Sequence, residues 1–262
     1  MLARRELPSE FIEWNRKWGA PTGHWRTGQR FWGRFLSDNA RTRLGGPFCI
    51  QHNTENRAYE YPWAFRAVPI ERSMSVVDLG GGLAGFQFVL SKTCSRVVNI
   101  DPGLGAKGVG WKCDQESMAR LNRLFGTEVE LKNCTILDAS LPKEGIDIVY
   151  SISVIEHFAE EELWDTLRAI WECLKAGGKF VITVDLFLNL HPFSSMKANQ
   201  YGTNFPIGEL DGYETFKLVA GDRSEIYGTD EFDRDHIMTN LEEIRVGAYG
   251  PAMAQCLVFE KE

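Results

Sequence analysis

Asp78 and Asp101 are the side chains whose setting points most directly to chemistry. Asp78 stands two residues before Gly80 in VVDLGGGLAG, residues 76–85, an apolar run that breaks into glycines. A strand entering such a turn lets a ligand approach the backbone closely, because glycine puts no side chain in the way. Gly80, Gly82 and Gly85 satisfy the G-x-G-x-x-G spacing of a dinucleotide loop. Asp101 follows Gly80 by 21 residues, where an acid for ribose hydroxyls would stand. The acid at position 78 argues against a phosphate beside the loop and for a cation. His157 and His191 follow closely on apolar runs and could act as bases toward a hydroxyl acceptor. His24, His52 and His236 are weaker candidates for that role.

The elements that must position these groups are readable from periodicity. Apolar runs at 73–79, 96–101, 129–134, 146–152, 179–187 and 254–261 read as strands. Between them, 114–125 reads as a helix capped by Asp114. Residues 159–174 read as another, ended by Gly177-Gly178. This alternation predicts a parallel, doubly wound α/β sheet, in which His157, His191 and both aspartates lie near strand carboxyl ends. Ahead of it, 9–18 reads as a helix with Ser9 as N-cap, stopped by Gly19 and Pro21. A second helix is expected over 28–38, carrying Phe31, Trp32 and Phe35, and a loop over 44–62. Residues 188–228 read as a long irregular insertion, and 230–243 as a last helix. A stretch of that length without regular structure is usually functional.

S-adenosylmethionine carries an ammonium and a sulfonium and no phosphate, and the sequence resembles the Rossmann-type, class I methyltransferases that use it. The resemblance rests on ordered matches over roughly 73–187: Asp78-Leu79-Gly80-Gly81-Gly82, Asp101, LDASLP (137–142), IDIVYSISVIEHF (146–158) and LKAGGKFVIT (174–183). Ala84 stands where the family often has a further glycine. The resemblance implies a mostly parallel seven-stranded sheet. It also implies a cofactor site built from Asp78, Gly80, Gly82, Asp101 at the ribose, Asp138 and Ala139 at the adenine, and Ser151. His157 and His191 are the catalytic candidates.

Composition bounds the rest. The chain has 262 residues, 44% hydrophobic and 25% charged, with a net charge of −7. That acidity argues against a generic nucleic-acid binder, and no RNA-binding module or long basic stripe is visible. No apolar run is long enough for a membrane span, and no signal peptide is recognisable at the N-terminus. The six cysteines form no CxxC pair, so reduced thiols in a cytoplasmic protein without a metal site are expected. Residues 1–45 hold nine Lys/Arg against four Asp/Glu, a net of +5, and are rich in aromatics. We therefore expect an N-terminal cap, 1–68, ahead of a cofactor-binding domain, 69–262, with a substrate-side insertion at 188–228. Tyr201, Phe205, Tyr213, Phe216 and Trp63 could line an acceptor pocket.

The leading expectation is methyl transfer to a small polar or glycosyl-type acceptor at oxygen, the basic front suggesting one that bears a carboxylate or phosphate. The alternatives are other chemistry on the same cofactor, such as its intramolecular cyclisation, an NAD-dependent oxidoreductase, or a non-catalytic cofactor-binding module.

Overall fold

The computed structural model describes residues 1–24, 36–105, 112–158, 160–248 and 250–262. The expected helix over 28–38 lies mostly outside the described residues.

Seven strands form one sheet: β1 Ser75–Leu79, β2 Arg96–Ile100, β3 Val129–Lys132, β4 Ile146–Ile152, β5 Leu174–Phe187, β6 Phe216–Ala220 and β7 Ala252–Lys261. Their spatial order is β3-β2-β1-β4-β5-β7-β6, with β7 alone running against its neighbours. The alternation of side chains along each strand explains why both faces are covered. Val76, Val97, Ile148, Tyr150 and Val181 point to one face. There they meet α1 (Ser9–Trp18), α3 (Arg57–Arg66), α4 (Phe86–Leu90) and α5 (Gln115–Phe125), while α2 (Asp38–Gly45) lies between α1 and α3 in the chain. Val77, Val98, Val149, Phe180 and Ile182 point to the other, against Leu163, Leu167 and Ile170 of α6 (Glu160–Cys173). The order reverses between β1 and β4, which opens a crevice at their carboxyl ends.

The helix caps follow local chemistry with one exception. Asp114 caps α5 by accepting from the Ser117 N–H at 2.7 Å, as expected. Gly19 ends α1 in the left-handed region at φ 74°. Ser9, however, is the first residue of α1, and Pro8 occupies the cap position.

Four sequence expectations are corrected. The expected loop over 44–62 contains α3, whose interior holds Pro62. Proline cannot donate to the carbonyl four residues back. That carbonyl, on Ala58, instead accepts the side-chain amide of Asn15 from α1 at 2.7 Å. Gly177-Gly178 do not end the α6 helix, which stops at Cys173. They lie within β5, where the pairing with β4 slips between Ile146 and Ile148 to make a bulge. The insertion at 188–228 is not wholly irregular: β6 lies within it and adds the last strand to the sheet edge. The helix expected over 230–243 is a short one, α7 (Arg234–Thr239), followed by a 3-10 turn at Leu241–Glu243.

The N-terminal aromatics are part of the main core. Phe11, Trp14, Phe48, Tyr59, Tyr61 and Trp63 share one apolar cluster with Phe86 and Tyr150. Tyr61 stacks on Phe86 with ring centroids 5.5 Å apart. Leu2 bridges to Gln255 of β7 and Arg4 to Ile244, so the first residues run beside the last strand.

Candidate active site

The glycine loop joins β1 to α4 and is shaped by its neighbours. Gly80, Gly82 and Gly85 have φ of 69°, 50° and 106°, a region where a side chain is strained. A Cβ on Gly80 would stand 2.6 Å from Val154 Cγ1, and one on Gly81 would stand 2.4 Å from Asp78 Oδ2. The loop is therefore a close-packed cradle with Asp78 directly against its backbone.

Asp101 ties the end of β2 to this loop. Its carboxylate accepts the N–H of Gly82 at 2.8 Å and that of Gly103 at 2.6 Å. Burial raises its pKa, and those two backbone donors pull it back down. Two fixed donors leave the other lone pairs of the carboxylate open to ribose hydroxyls. Asp78 is 2% exposed, and its Oδ2 has no hydrogen-bond partner. Burial first, then the nearby charge of Asp101, pushes its pKa up to about 8. A buried acid without a partner beside a backbone cradle fits a cationic ligand, because a cation would repay its desolvation. Ser151, paired with Leu79 across β1 and β4, is fully buried with an unpartnered Oγ.

Asp138 and Ala139 lie in the loop after β3. Asp138 is exposed and accepts from Thr135 Oγ at 2.9 Å, while Ala139 is buried. Thus Asp78, Gly80, Gly82 and Asp101 are brought into direct contact with one another's loop, and Ser151 stands beside them in the sheet. Among the described residues, no hydrogen bond links Asp138 to that group.

Several groups escaped sequence reasoning. Gln51 Oε1 accepts the Leu83 N–H at 2.9 Å, bracing the loop from the N-terminal side. Asn99 Nδ2 and Gln87 Nε2 both donate to the Gly82 carbonyl, at 2.8 and 3.0 Å. Asn99 had a legible signal, a lone amide in the otherwise apolar strand RVVNI.

A second polar group lies at the carboxyl ends of β4 and β5. Arg57 of α3 pairs with Glu60 and donates to Ser153 Oγ at 2.7 Å. Glu60 Oε1 also accepts from Ser153 Oγ at 3.0 Å and from Thr183 Oγ at 2.5 Å. Glu156 and Asp185 flank this pair, and the Asp185 N–H points at Glu156 Oε1 at 3.4 Å. Burial, reinforced by the neighbouring carboxylates, raises the pKa of both Glu156 and Asp185.

Both histidine candidates are exposed. His157 Nδ1 stands 3.0 Å from the Tyr201 carbonyl, which can only accept, so Nδ1 carries a proton. His191 Nδ1 stands 3.0 Å from the Tyr227 hydroxyl in the insertion. Of the expected pocket aromatics, Phe205 and Tyr213 pack on Trp164, Phe216 packs on Phe180, and Trp63 belongs to the core. Tyr201, stacked on Phe187 at 6.3 Å, alone among them is exposed. A cavity of about 330 Å³ lies elsewhere, between the loop 136–143 and α6, and contains none of these acids. Among the described residues no group of three or more His, Cys, Asp or Glu is arranged to hold a metal. No described helix is long and apolar enough to cross a membrane.

The sheet order and the loop at its switch point define a Rossmann-like α/β protein of the methyltransferase type. Residues 77–182 match the family model described as a methyltransferase domain, so the chain carries an S-adenosylmethionine-dependent methyltransferase domain. Among solved structures it is similar to the [4+2]-cyclase SpnF, at 12% identity and a TM-score of 0.52, over 88% of this chain and 94% of that one. It is also similar to an S-adenosylmethionine dependent methyltransferase from Mesorhizobium loti, at 15% identity and a TM-score of 0.50, over 77% and 97% of the two chains. Likeness at such identities establishes the fold. No curated protein matches the sequence.

Proposed function

We propose that the protein transfers the methyl group of S-adenosylmethionine to a small polar, glycosyl-type acceptor at a hydroxyl oxygen. The observation that carries the reading is the cradle at the switch point: three positive-φ glycines, a buried unpartnered Asp78, and Asp101 held by two backbone donors. In this reading Asp101 takes the ribose hydroxyls, Asp78 faces the cationic methionine end, Asp138 and Ala139 border the adenine, and Gly80, Gly82 and Ser151 let the ligand lie close to the sheet. The bound cofactor supplies an electrophilic methyl carbon. What the protein adds is alignment, which accounts for much of the rate in an in-line displacement, and a group to receive the hydroxyl proton.

The polar group at the ends of β4 and β5 supports an acceptor without negative charge. Three acids there, against the single guanidinium of Arg57 that Glu60 already engages, offer a carboxylate or phosphate no cationic partner within this group. This reading replaces the anionic acceptor suggested by the basic front. Of the two histidines, His157 is the better placed, since it lies in the turn that leaves β4, with its Nδ1 held 3.0 Å from the Tyr201 carbonyl. His191 is retained as the second candidate, on the insertion. Six free thiols support a reducing, cytoplasmic setting, in which we place a role in small-molecule biosynthesis.

Calorimetry with S-adenosylhomocysteine tests the cofactor assignment, and absence of binding to native protein would sink it. Incubation with isotopically methyl-labelled cofactor and an acceptor pool then identifies the modified atom by mass spectrometry. Label recovered on nitrogen or carbon alone would overturn the oxygen assignment.

A further inference from the structure

The polar group of α3, β4 and β5 contains more than structural pairing requires. Glu60 is fully satisfied by Arg57, Ser153 and Thr183. Glu156 is not: it is 2% exposed, and its Oε2 has no partner. Asp185 is half-buried, and no hydrogen bond to its carboxylate is present among the described residues. A buried carboxylate oxygen left without a donor is costly, and in a native protein it calls for an explanation such as a missing ligand or a catalytic role.

Position supplies that explanation. The last β4–β5 pair is Ile152 with Thr183, so Asp185 lies two residues beyond it, where β4 has already left the sheet. It shares the strand face of Thr183, the face covered by α3. The turn that leaves β4 passes through Val154, against which Gly80 of the cofactor loop is packed. Cofactor loop, turn and Asp185 thus share the carboxyl edge of the sheet. The charged groups facing Asp185 are Glu156 and His157 from the turn, and Glu60 and Arg57 from α3.

We propose that Asp185, in place of the histidine candidates, is the catalytic base at the acceptor subsite, receiving the proton of an uncharged hydroxyl, with Glu156, whose Oε1 faces the Asp185 N–H, as its positioning residue. The inference rests on the methyltransfer reading above. As the acceptor oxygen bonds to the methyl carbon, the carbon–sulfur bond breaks and its electron pair goes to sulfur, which becomes a neutral thioether. The hydroxyl proton passes to the Asp185 carboxylate. A base whose proton affinity is raised by burial, and then by its like-charged neighbours, is matched to such a weak acid better than an ordinary aspartate.

The test needs no acceptor. Sinefungin is a cofactor analogue with a primary amine where the transferable methyl stands, so its ammonium probes what faces that methyl. Calorimetry on the full chain compares it with S-adenosylhomocysteine, which lacks any group there. We expect sinefungin to bind at least about tenfold more tightly, the scale of one charge-assisted hydrogen bond. Asp185→Asn should erase that preference while leaving S-adenosylhomocysteine affinity within about twofold. In Glu156→Gln the preference should persist and set in at lower pH, because removing the neighbouring charge lets Asp185 ionise more readily. Equal affinity of the two ligands for the wild type overturns the proposal, as does a preference that survives Asp185→Asn. Failure of both ligands to bind would instead remove the methyltransfer reading, and this inference with it.

Discussion

The carboxylate of Asp101 accepts the backbone N–H of Gly82 at 2.8 Å, so the end of the second strand and the glycine loop after the first hold each other in place. Asp101 therefore fixes the loop and, in the proposed cofactor reading, also presents its free lone pairs to the ribose. Asp101→Ala should weaken S-adenosylhomocysteine binding by about 1.5–3 kcal/mol, roughly 10- to 150-fold, the range for one lost hydrogen bond to a charged group. Titration calorimetry reads this, with the melting temperature as a control for loop damage. Unchanged affinity would show that the ribose lies elsewhere.

Asp78 makes cofactor binding depend on pH. Its pKa in the free protein is pushed up to about 8, so below that pH the free protein holds a proton there. A cationic ligand favours the ionised form, and binding then releases the proton. Affinity should rise with pH from about 6 to about 8, by no more than about tenfold per unit, and level off above. Calorimetry in buffers of different ionisation enthalpy counts the released proton directly. Asp78→Asn should flatten the profile, and a flat profile in the wild type would count against Asp78 as the cation's neighbour.

The cradle tolerates no side chain at position 80. A Cβ there meets Val154 Cγ1 at 2.6 Å, and the backbone φ is 69°. Gly80→Ala should destabilise the protein by about 1–3 kcal/mol from strain and overpacking, and weaken cofactor binding as well. Adding Val154→Ala should restore part of the loss. Urea unfolding of the four variants measures the coupling, and strict additivity would show that the clash is relieved some other way.

Asn15 and Pro62 are coupled through the Ala58 carbonyl, which Pro62 leaves without its helical donor and Asn15 supplies. Asn15→Ala should cost about 1–3 kcal/mol, the price of an unsatisfied buried carbonyl. Pro62→Ala in that background should recover part of it by restoring an N–H. If Pro62→Ala stabilises both backgrounds equally, the two residues do not share this carbonyl.

Stability should also follow pH in an unusual direction. Asp78, Asp185 and Glu156 all have raised pKa values in the folded chain, burial being the first cause in each. Between the unfolded value near 4 and the raised folded values, the native state binds more protons than the unfolded one. These groups therefore contribute stability at about pH 5 that is lost as pH rises toward about 8. Chemical unfolding at both ends should show the fall, and Asp185→Asn should reduce it. A slope of the opposite sign, unaffected by that substitution, would contradict the burial of these acids.

The methyl-transfer fold was legible in the sequence because its determinants are local. A strand that breaks into glycines needs only neighbouring residues to be recognised, and Asp101 is tied to its loop by a fixed spacing. The period-two and helical patterns placed β1 to β5 and β7 within a few residues. β6 was passed over because an edge strand is only half covered: Phe216 is buried, but Lys217 and Val219 face solvent.

The acceptor side was decided by tertiary structure. Glu60 reaches Ser153 and Thr183 across 93 and 123 residues, and nothing in its own neighbourhood marks it. The segment around it reads as a loop because proline removes a helix donor, and the Asn15 amide that compensates comes from 43 residues away. Backbone conformation set by neighbouring residues can be read along the chain. A buried carboxylate acquires its proton affinity from surroundings that only folding brings together, as Asp185 does first from its burial and then from Glu156 and Glu60, against the opposing pull of Arg57 and His157.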